Sequence, residues 1–420
     1  MRTTCRISGG PLTPVADFGN LYISDYLPAV TPEAARSPLR LGIGEGSGLL
    51  QLMDTADRDA LYRQYWYASG TNATMTRQLA DIVNAVSNWV RLNEGDVVLD
   101  IGCNDGTLLR QYPAETRLTR VGIDPAVNMA EAGRAHCELH ATDYFTSDVF
   151  LALTGGRRAR VITSIAMFYD LDDPSAFVGD IRKCLTDDGI WIVQMSYMPL
   201  MMMQNAFDNV IHEHLEYYSL LSVDHLMRQH GLKILDVEFN DTNAGSFRLV
   251  ITPESNPVTH AALYYRDIGH YRYISVLEYE RQQHFDDPQI CRDFMQRVES
   301  LKGKTLDLLH DLKRRGKTVY GYGASTKGNT LLQYYGIGPD LIRGIAERQP
   351  RKYGLRCVGS WIPILSEAEV RETRPDYMVV LPWHFINEFM ERERDYLRGG
   401  GKFIVPLPEL TIVGEEWGER

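Results

Sequence analysis

Several features of membrane, secreted and disulfide-bonded proteins are missing from this sequence. No segment approaches the roughly eighteen consecutive apolar residues that a transmembrane helix requires. The first residues, MRTTCRISGGPLTPV, contain no apolar run flanked by positive charge, so we expect no signal peptide. The few cysteines show no paired spacing and lie at positions 5, 103, 137, 184, 291 and 357. We therefore predict free thiols in a soluble, cytoplasmic protein without membrane contacts.

An excess of positive charge is also missing. The chain has 44 Lys and Arg residues against 55 Asp and Glu residues, a formal net charge of -11. This charge repels polyanions unless basic residues gather on one face, and the sequence has no basic cluster that would form such a face. We therefore predict no nucleic-acid partner.

The composition is otherwise that of a folded globular protein. Apolar residues make up 44% and charged residues 24% of the 420 residues, and the 35 glycines and 19 prolines are dispersed. These values exclude disordered, collagen-like and coiled-coil proteins. The length is about twice that of a common domain, so we expect two or three domains.

Two series of β-rich apolar segments alternate with helical patterns. The first series comprises residues 96–102, 120–126, 160–168 and 189–197, and the second comprises residues 317–325, 341–347, 376–383 and 401–408. Such alternation is typical of parallel, doubly wound sheets. We therefore predict an α/β protein with two Rossmann-like domains.

The remaining segments divide the chain further. The first sixty or so residues are rich in Gly, Pro and Ser, which indicates a small irregular module, whereas the charged, Tyr-rich stretch between the two series favours connecting helices. The predicted parts are the N-terminal module at 1–62, the first Rossmann-like domain at 63–257, the helical connection at 258–315 and the second Rossmann-like domain at 316–420.

The segment LDIGCNDGTLLR, residues 99–110, is the strongest chemical signal. Gly102 and Gly106 allow a tight turn at the carboxyl end of a strand, where doubly wound folds bind ligands. The spacing differs from GxGxxG, and Asn104 and Asp105 add side-chain oxygens that suit a cationic or hydroxyl-bearing ligand better than a phosphate. The alternative is a strand and turn with a helix-capping Asp.

Two acidic residues farther along strengthen the ligand-binding interpretation. Asp124 ends the next predicted strand, where a carboxylate can bind a ribose diol, and Asp143 falls where a third strand would present an acid near an adenine amino group. Together these features resemble class I S-adenosylmethionine methyltransferases. The candidate cofactor-binding residues are Asp100, Gly102, Asn104, Asp105, Gly106, Asp124, Pro125 and Asp143. We interpret Cys103, inside the loop, as a packing residue.

Seven segments spread over nearly the whole chain carry a more specific resemblance. They are YWYASGTNATM (65–75), DIGCNDGTLL (100–109), NVIHEHLEYYSL (209–220), NAGSFRL (243–249), VYGYGASTKGNTLLQYYGIG (319–338), GSWIPI (359–364) and VLPWHF (380–385). In this order they resemble the bacterial nucleotide-sugar C-methyltransferases, which methylate carbon 3 of nucleotide-linked 4-keto-deoxyhexoses. The resemblance implies a zinc-binding N-terminal module, a central S-adenosylmethionine methyltransferase domain, and a C-terminal Rossmann-like domain that helps hold the nucleotide sugar.

The N-terminal module departs from the pattern of this family. The family has four zinc-binding cysteines, and the corresponding positions here are Cys5, Ser8, Gly44 and Ser47. One thiolate cannot hold tetrahedral zinc. We therefore predict that the module binds no metal and persists by packing.

Methylation of a carbon beside a ketone requires a base, an oxyanion partner and alignment with the methyl donor. The family's HGGS motif, whose His is a candidate base, reads NAGS here, and the amide of Asn243 does not accept a proton at neutral pH. The intact segment IHEHLEYYS offers His214, His212 and Glu213 instead. His214 is our first choice, because the family's functional His is the second in HEH, and we expect it to titrate near the operating pH. A zinc-binding pair and a helix-capping or surface role are the alternatives.

Two tyrosines and an asparagine are candidate partners of the substrate oxygen. Tyr65 and Tyr67 bracket Trp66, and their hydroxyls suit hydrogen bonding to an enolate or contact with the methyl donor; aromatic packing is the alternative. The amide of Asn243 is able to donate to the 4-keto oxygen.

The segment GYGASTKG, residues 321–328, resembles a phosphate-cradling turn. Small residues let backbone N–H groups approach an anion, and Lys327 supplies positive charge. A glycine-rich turn without a ligand is the alternative, and the place of the segment in the family's C-terminal motif favours nucleotide binding. The candidate substrate-binding residues are Ser325, Lys327, Gly328, Asn329, Trp383 and His384, the last of which stands where the family motif LPWN has Asn.

The sequence therefore predicts an S-adenosylmethionine-dependent C-methyltransferase. The expected acceptor is a carbon, C3, next to the ketone of a nucleotide-diphospho-4-keto-deoxysugar, reached through an enolate. An O- or N-methyltransferase acting on a nucleotide-linked sugar and a non-catalytic ligand-binding homologue are the alternatives. We expect a monomer or a small homo-oligomer.

Overall fold

The computed structural model describes residues 1–62, 68–71, 73–258 and 263–415. The N-terminal module is an antiparallel sheet rather than the irregular module predicted. The module contributes β1 (Leu12–Tyr22), β3 (Arg36–Gly44) and β4 (Leu50–Leu52) to this sheet, and its short strand β2 (Tyr26–Leu27) pairs elsewhere. β3 pairs with both β1 and β4. The glycine content misled the prediction because Gly19, with a φ of 90°, lies at a shift of register inside β1 between Asp17 and Asn20.

The first Rossmann-like domain comes next along the chain. Its sheet is formed by β5 (Val97–Ile101), β6 (Thr119–Ile123), β7 (Leu139–Ala141), β8 (Ala159–Ile165), β9 (Leu185–Ser196), β11 (Leu232–Asn240) and β12 (Ser246–Pro253). The short strand β10 (Glu216–Tyr217) lies in the same stretch of chain but joins the N-terminal sheet. The helices of this region are α1 (Arg58–Tyr62), α2 (Ala73–Val86), α3 (Ala130–Arg134), α4 (Ser147–Thr154), α5 (Pro174–Cys184), α6 (Met198–Met203) and α7 (Leu220–Gln229). The sheet order is β11-β12-β9-β8-β5-β6-β7. Every residue of β5 is buried, as expected for a central strand covered on both faces.

Two long helices connect the Rossmann-like domains: α8 (Leu263–Gln282) and α9 (Pro288–Arg314). The Asp287 side chain accepts a hydrogen bond from the Gln289 N–H at 2.7 Å and caps α9. Buried residues recur every three or four positions along α9, among them Phe294, Val298 and Leu301, so one face of the helix packs on the core. No helix in the described part of the chain has the length and apolar character needed to cross a membrane.

The second Rossmann-like domain repeats the arrangement. Its strands are β13 (Val319–Tyr322), β14 (Ile345–Glu347), β15 (Arg356–Cys357), β16 (Ile364–Ser366), β17 (Tyr377–Val380), β18 (Lys402–Val405) and β19 (Thr411–Val413). Its helices are α10 (Thr326–Tyr335), α11 (Glu367–Glu372), α12 (Ile386–Arg392) and α13 (Arg394–Arg398). The sheet order β16-β14-β13-β17-β18-β19 corresponds to the 3-2-1-4-5-6 order of dinucleotide-binding folds. The predicted α/β class with two Rossmann-like domains is thus confirmed.

Antiparallel strands are the part of the first sheet that the alternation pattern does not reveal. β12 runs antiparallel to β9, and β11 antiparallel to β12. β12 is buried throughout, like the central parallel strands, whereas β11 mixes buried, half-buried and exposed residues; neither pattern indicates the direction of the strand.

The three parts of the molecule meet around the segment that contains His212 and His214. Phe207, just before this segment, packs against Phe18 of β1 and Tyr335 of α10, with ring centroids 6.2 Å and 5.2 Å apart respectively. β10, just after it, pairs with β4, and β2 pairs with β15 of the second domain. The N-terminal module therefore contacts both Rossmann-like domains.

Candidate active site

The loop after β5 turns through three residues with positive φ angles: Gly102 at 72°, Asn104 at 51° and Gly106 at 74°. The Gly102 N–H donates to the Ile123 carbonyl oxygen at 2.8 Å, so the loop begins against the end of β6. A Cβ atom on Gly106 would lie only 2.9 Å from the Cβ atom of His136. Backbone conformation and close packing both require glycine at this turn.

Asp124 directly follows β6 and is 7% exposed. Its Oδ2 accepts a hydrogen bond from the Asn104 N–H and its Oδ1 accepts one from the Ala126 N–H, each at 2.8 Å. Burial raises the pKa of Asp124, and the two N–H groups oppose this rise. A carboxylate oxygen can accept two hydrogen bonds, so each oxygen retains one acceptor position. This arrangement fits the two hydroxyls of a ribose, as bound S-adenosylmethionine requires.

The sequence predicts that the side-chain oxygens of Asn104 and Asp105 face a ligand, but in the structure they accept hydrogen bonds from backbone N–H groups. The Oδ1 of Asn104 accepts from the Ser69 N–H at 3.0 Å, and the Oδ2 of Asp105 accepts from the Gly70 N–H at 2.7 Å. The Oδ1 of Asp105 also accepts from the Thr107 hydroxyl at 2.6 Å. These bonds fasten the chain before α2 to the glycine loop, because short side chains in a tight turn readily reach neighbouring backbone groups.

The remaining candidate cofactor residues differ in accessibility. Asp100, in β5, is 4% exposed and accepts a hydrogen bond from the Thr163 hydroxyl at 2.6 Å; burial raises its pKa to about 7. Pro125 is half-buried beside Asp124. Asp143, after β7, is exposed. Asp143 is therefore accessible to a ligand, whereas Asp100 supports the loop from within the sheet.

The segment after β8 belongs to the site although the sequence analysis does not identify it. A Cβ atom on Gly102 would lie 3.2 Å from the Cγ of Met167, so Met167 covers the glycine loop. The ring centroid of Tyr169 is 4.3 Å from that of His214. Ala166 has a φ of 54°, which is unusual for a residue with a side chain. The position of this segment at the carboxyl end of a parallel strand is a signal that would have found it.

His214 is held in one tautomer. Its Nδ1 lies 2.9 Å from the carbonyl oxygen of Asn209. A carbonyl only accepts, so Nδ1 carries the hydrogen and Nε2 carries the lone pair. Burial and the positive charge of Lys327 lower the pKa of His214 to about 3. The imidazole is therefore neutral over the physiological range, in contrast to the predicted titration near the operating pH.

The two neighbouring candidates have different environments. The Nε2 of His212 lies 2.9 Å from the carbonyl oxygen of Ser37 in β3, and burial lowers the pKa of this His. His212 therefore links the segment to the N-terminal module. Glu213 is half-buried, and burial raises its pKa to about 7. Its carboxyl group is the one in this segment with a pKa close to neutral.

Three of the candidate substrate-binding residues shape the start of α10. The Oγ of Ser325 accepts from the Gly328 N–H at 3.0 Å and caps the helix. A Cβ atom on Gly328 would lie 2.6 Å from the Cβ of Leu381, so glycine permits the close approach of the chain after β17. The buried amide of Asn329 donates to the Val358 carbonyl oxygen at 2.9 Å. These contacts fix the position of the helix N-terminus.

Trp383 contacts the segment that contains His214, and Lys327 and His384 are linked to it through the charge of Lys327 and the neighbouring rings of Trp383 and His384. The Trp383 Nε1–H donates to the Oδ2 of Asp208 at 3.0 Å. Burial raises the pKa of Asp208 and the Lys327 ammonium opposes that rise; burial and Lys327 together lower the pKa of His384 to about 3. We call Asp208, His214, Lys327, Trp383 and His384 the interdomain cluster. It joins the candidate base to the second Rossmann-like domain.

Asn243 lies at the ligand-binding edge of the first sheet. It is half-buried in the turn Thr242–Ala244 with a φ of 54°, a conformation that Asn tolerates. The turn leads into β12, whose first residue pairs with the last residue of β9. Tyr65 and Tyr67 lie outside the described residues.

The residues that correspond to the family's zinc ligands do not fit a zinc ion. The Sγ of Cys5 lies 3.2 Å from the Oγ of Ser47, and a Cβ atom on Gly44 would lie 2.7 Å from each of these atoms. Ser8 uses its Oγ to accept from the Gly10 N–H at 3.2 Å. Three of the four positions are thus packed directly together and supply one thiol. Within the described ranges, no group of three or more His, Cys, Asp or Glu residues is arranged to hold a metal ion.

The fold and the loop after β5 define a methyltransferase, and residues 71–237 match the family described as methyltransferase domain. Residues 241–408 match the family described as C-methyltransferase C-terminal domain. These two matches, together with the full-length relative described next, support an S-adenosylmethionine-dependent C-methyltransferase.

Similar proteins include a full-length relative and smaller solved structures. The chain is 29% identical to C-methyltransferase NovU of Streptomyces niveus, over 98% of this chain and 97% of that protein. Magnesium protoporphyrin IX methyltransferase from Synechocystis is 12% identical, with a TM-score of 0.32 over 42% of this chain and 79% of that one. An S-adenosylmethionine-dependent methyltransferase from Clostridium acetobutylicum is 14% identical, with a TM-score of 0.33 over 42% and 92% of the two chains.

Proposed function

We propose that this enzyme transfers the methyl group of S-adenosylmethionine to C3, beside the ketone, of a nucleotide-diphospho-4-keto-deoxysugar, through an enolate of the sugar. The observation that carries the proposal is the interdomain cluster. Trp383 of the second Rossmann-like domain donates to Asp208, six positions before His214, and the charge of Lys327 helps to keep the buried His214 imidazole neutral. A ligand held by the second domain would thus present its sugar to a base in the first.

The donor is placed at the loop after β5. S-adenosylmethionine supplies an activated methyl group on a sulfonium. The two remaining acceptor positions of Asp124 bind its ribose hydroxyls, and the exposed Asp143 binds the adenine amino group. Gly102 and Gly106 give the backbone its turn beside the ligand.

Proton removal from the sugar carbon is assigned to His214. Its Nε2 is the nitrogen with a lone pair, because Nδ1 donates to the Asn209 carbonyl oxygen. The low pKa keeps this nitrogen unprotonated, and it also makes the imidazole a weaker base than a free histidine. Glu213 is the second candidate, because its pKa of about 7 matches neutral pH.

The enolate oxygen needs hydrogen-bond donors. We assign this role to the Asn243 amide, which lies at the carboxyl edge of the sheet, and to the hydroxyls of Tyr65 and Tyr67. An amide that donates to the 4-keto oxygen would explain why the chain tolerates Asn where the family has His.

The nucleotide diphosphate is placed at the start of α10. Its N-terminal N–H groups and the Lys327 ammonium provide positive potential, and the contacts of Ser325, Gly328 and Asn329 fix the helix end. The ring centroids of Trp383 and His384, in the same cluster, are 5.8 Å apart. The six cysteines are all free thiols, which supports a cytoplasmic location.

The decisive experiment incubates the protein with methyl-labelled S-adenosylmethionine and a panel of nucleotide-linked 4-keto-deoxysugars. We expect label on the carbon beside the ketone, identified by carbon NMR of the product. Label on oxygen or nitrogen would contradict carbon transfer, and the absence of label on every sugar would refute the acceptor class. Donor binding by calorimetry without any turnover would instead indicate a non-catalytic homologue.

A further inference from the structure

Residues 211–218, which we call the catalytic segment, include β10, the last strand of the N-terminal sheet. β10 pairs with β4, and Glu216 lies opposite Gln51. The Leu52 N–H donates to the Leu215 carbonyl oxygen at 2.8 Å. The segment that contains the proposed base is thus hydrogen-bonded to a module that contributes none of the proposed catalytic groups.

A buried ion pair fixes this pairing. The Nε of Arg6 lies 3.2 Å from the Oε1 of Glu216, and both side chains are 0% exposed. Arg6 also donates to the Leu52 carbonyl oxygen at 2.6 Å and to the Thr55 hydroxyl at 2.9 Å, and its backbone N–H donates to the Oε1 of Gln51 at 2.8 Å. One side chain therefore holds both strands of the β4–β10 pair.

The same glutamate connects the ion pair to the proposed base. Glu216, Tyr169, Asn209 and His214 line a small cavity of about 10 Å³. A buried carboxylate that loses its cationic partner is strongly disfavoured. Loss of Arg6 would therefore disturb the wall of the cavity that His214 shares.

The ion pair of Arg6 restricts the register in which β10 pairs with β4. A one-residue slip of a strand turns every side chain to the opposite face of the sheet. β10 has only two residues and its pairing with β4 is short, so backbone hydrogen bonds alone specify its register weakly. The Arg6–Glu216 pair adds a contact that only one register can make.

We propose that Arg6 is a positioning residue for the catalytic segment, and that the N-terminal module acts as a template that holds His214 in place through the Glu216 strand. The inference rests on the proposed role of His214. It gives the module a function in a chain whose donor set does not fit zinc. Arg6 acts through the strand and does not touch the substrate.

The test compares Arg6→Met, Arg6→Lys, Glu216→Met and the double variant Arg6→Met/Glu216→Met. We expect Arg6→Met to lower kcat at least about tenfold, with the dissociation constant of S-adenosylmethionine and the KM of the sugar changed less than about twofold. Arg6→Lys should restore part of kcat. The control is Arg40→Met, which removes an ion pair to Asp54 in the same module but away from the segment; its kcat should stay within about twofold of wild type.

The double variant separates positioning from simple stability. It leaves no unpaired buried charge, so its melting temperature should approach that of wild type while kcat stays low. A double variant with wild-type kcat would overturn the proposal. So would a folded Arg6→Met protein with wild-type kcat.

Hydrogen exchange of residues 211–218 gives a readout that is independent of the reaction. We expect faster exchange there in Arg6→Met but not in Arg40→Met, and unchanged exchange would overturn the proposal. If wild type methylates no sugar, the proposed function fails. The exchange comparison then still decides whether Arg6 holds the segment.

Discussion

The two glycine loops of this enzyme are built alike. In the first domain the Gly102 N–H donates to the carbonyl oxygen of Ile123, and in the second the Gly323 N–H donates to that of Ala346, both at 2.8 Å. An acidic side chain at the end of the next strand then accepts from the loop. Asp124 accepts from the Asn104 N–H and Glu347 from the Ala324 N–H, again both at 2.8 Å.

The loops differ in the structure that comes directly after each of them. After Gly106 the chain forms only the 3-10 turn Leu109–Gln111; the carboxylate of Asp105 lies in the loop itself, and that of Asp124 is hydrogen-bonded to it. After Gly323 the chain enters the ten-residue helix α10, and Lys327 lies in its first turn. A helix N-terminus favours an anion, whereas carboxylates favour a cation or hydroxyls. The same strand–loop–strand scaffold is thus suited to a sulfonium nucleoside in one half and to a diphosphate in the other.

The largest effect is expected at the point where the two halves meet. His214→Ala removes the proposed base, so turnover should fall on the order of a hundredfold while donor affinity is unchanged. Steady-state kinetics and calorimetry with S-adenosylmethionine measure the two quantities. If the His214→Ala variant retains its turnover, the base is not His214 and lies outside the interdomain cluster.

The pH profile sharpens this assignment. The pKa of His214 is about 3, so Nε2 is already unprotonated at pH 5 and kcat should be level between pH 5 and 8. The pKa of Glu213 is about 7, so a reaction that needs its carboxylate loses rate as the pH falls through 7. A fall near pH 7 that disappears in Glu213→Gln would transfer the role of base to Glu213.

The two acidic residues test the division of ligands between the halves. Asp124→Ala should weaken S-adenosylmethionine binding by at least about tenfold, because two charge-assisted hydrogen bonds to ribose are lost. Glu347→Ala, at the equivalent place in the second domain, is the matched control and should leave donor affinity unchanged. If calorimetry shows equal losses in both variants, the proposed separation of donor and acceptor sites is wrong.

A smaller effect is expected from the cation that distinguishes the second loop. Lys327→Met should raise the KM for the nucleotide sugar several-fold, up to about tenfold, because one charge-assisted contact to phosphate is removed. The same change removes a positive charge that lowers the pKa of His214, so the acid limb of the profile should move to higher pH. Lys317→Met is the control. Lys317 precedes β13, at the end of the strand opposite the loop that leads to Lys327, and it pairs with Asp376. Equal KM values in the two variants would argue against a phosphate at Lys327.

The sequence predicts the scaffold of both halves better than it predicts the contacts between them. Buried parallel strands leave a local apolar pattern, and Gly102 and Gly106 reveal their turn by residue type alone. The pairing of β10 with β4 depends on residues more than 150 positions apart, and no local pattern reports such a contact. For the same reason the low pKa of His214 escapes prediction, because Lys327 lies 113 positions away in the chain.

The smallest effect is predicted for the glycines that end one helix in each half, at positions to which no ligand is assigned. Gly155 ends α4 with a φ of 65° and Gly336 ends α10 with a φ of 69°, and a Cβ atom at either position would meet nothing within 4 Å. Alanine there costs only the left-handed backbone penalty, so each variant should lose about 1 kcal/mol of unfolding free energy, measured by urea denaturation. Ligand affinities should not change. A markedly larger loss of unfolding free energy at Gly336 than at Gly155 would mean that the end of α10 is more strained than the end of α4. The two halves would then differ in more than the ligands they bind.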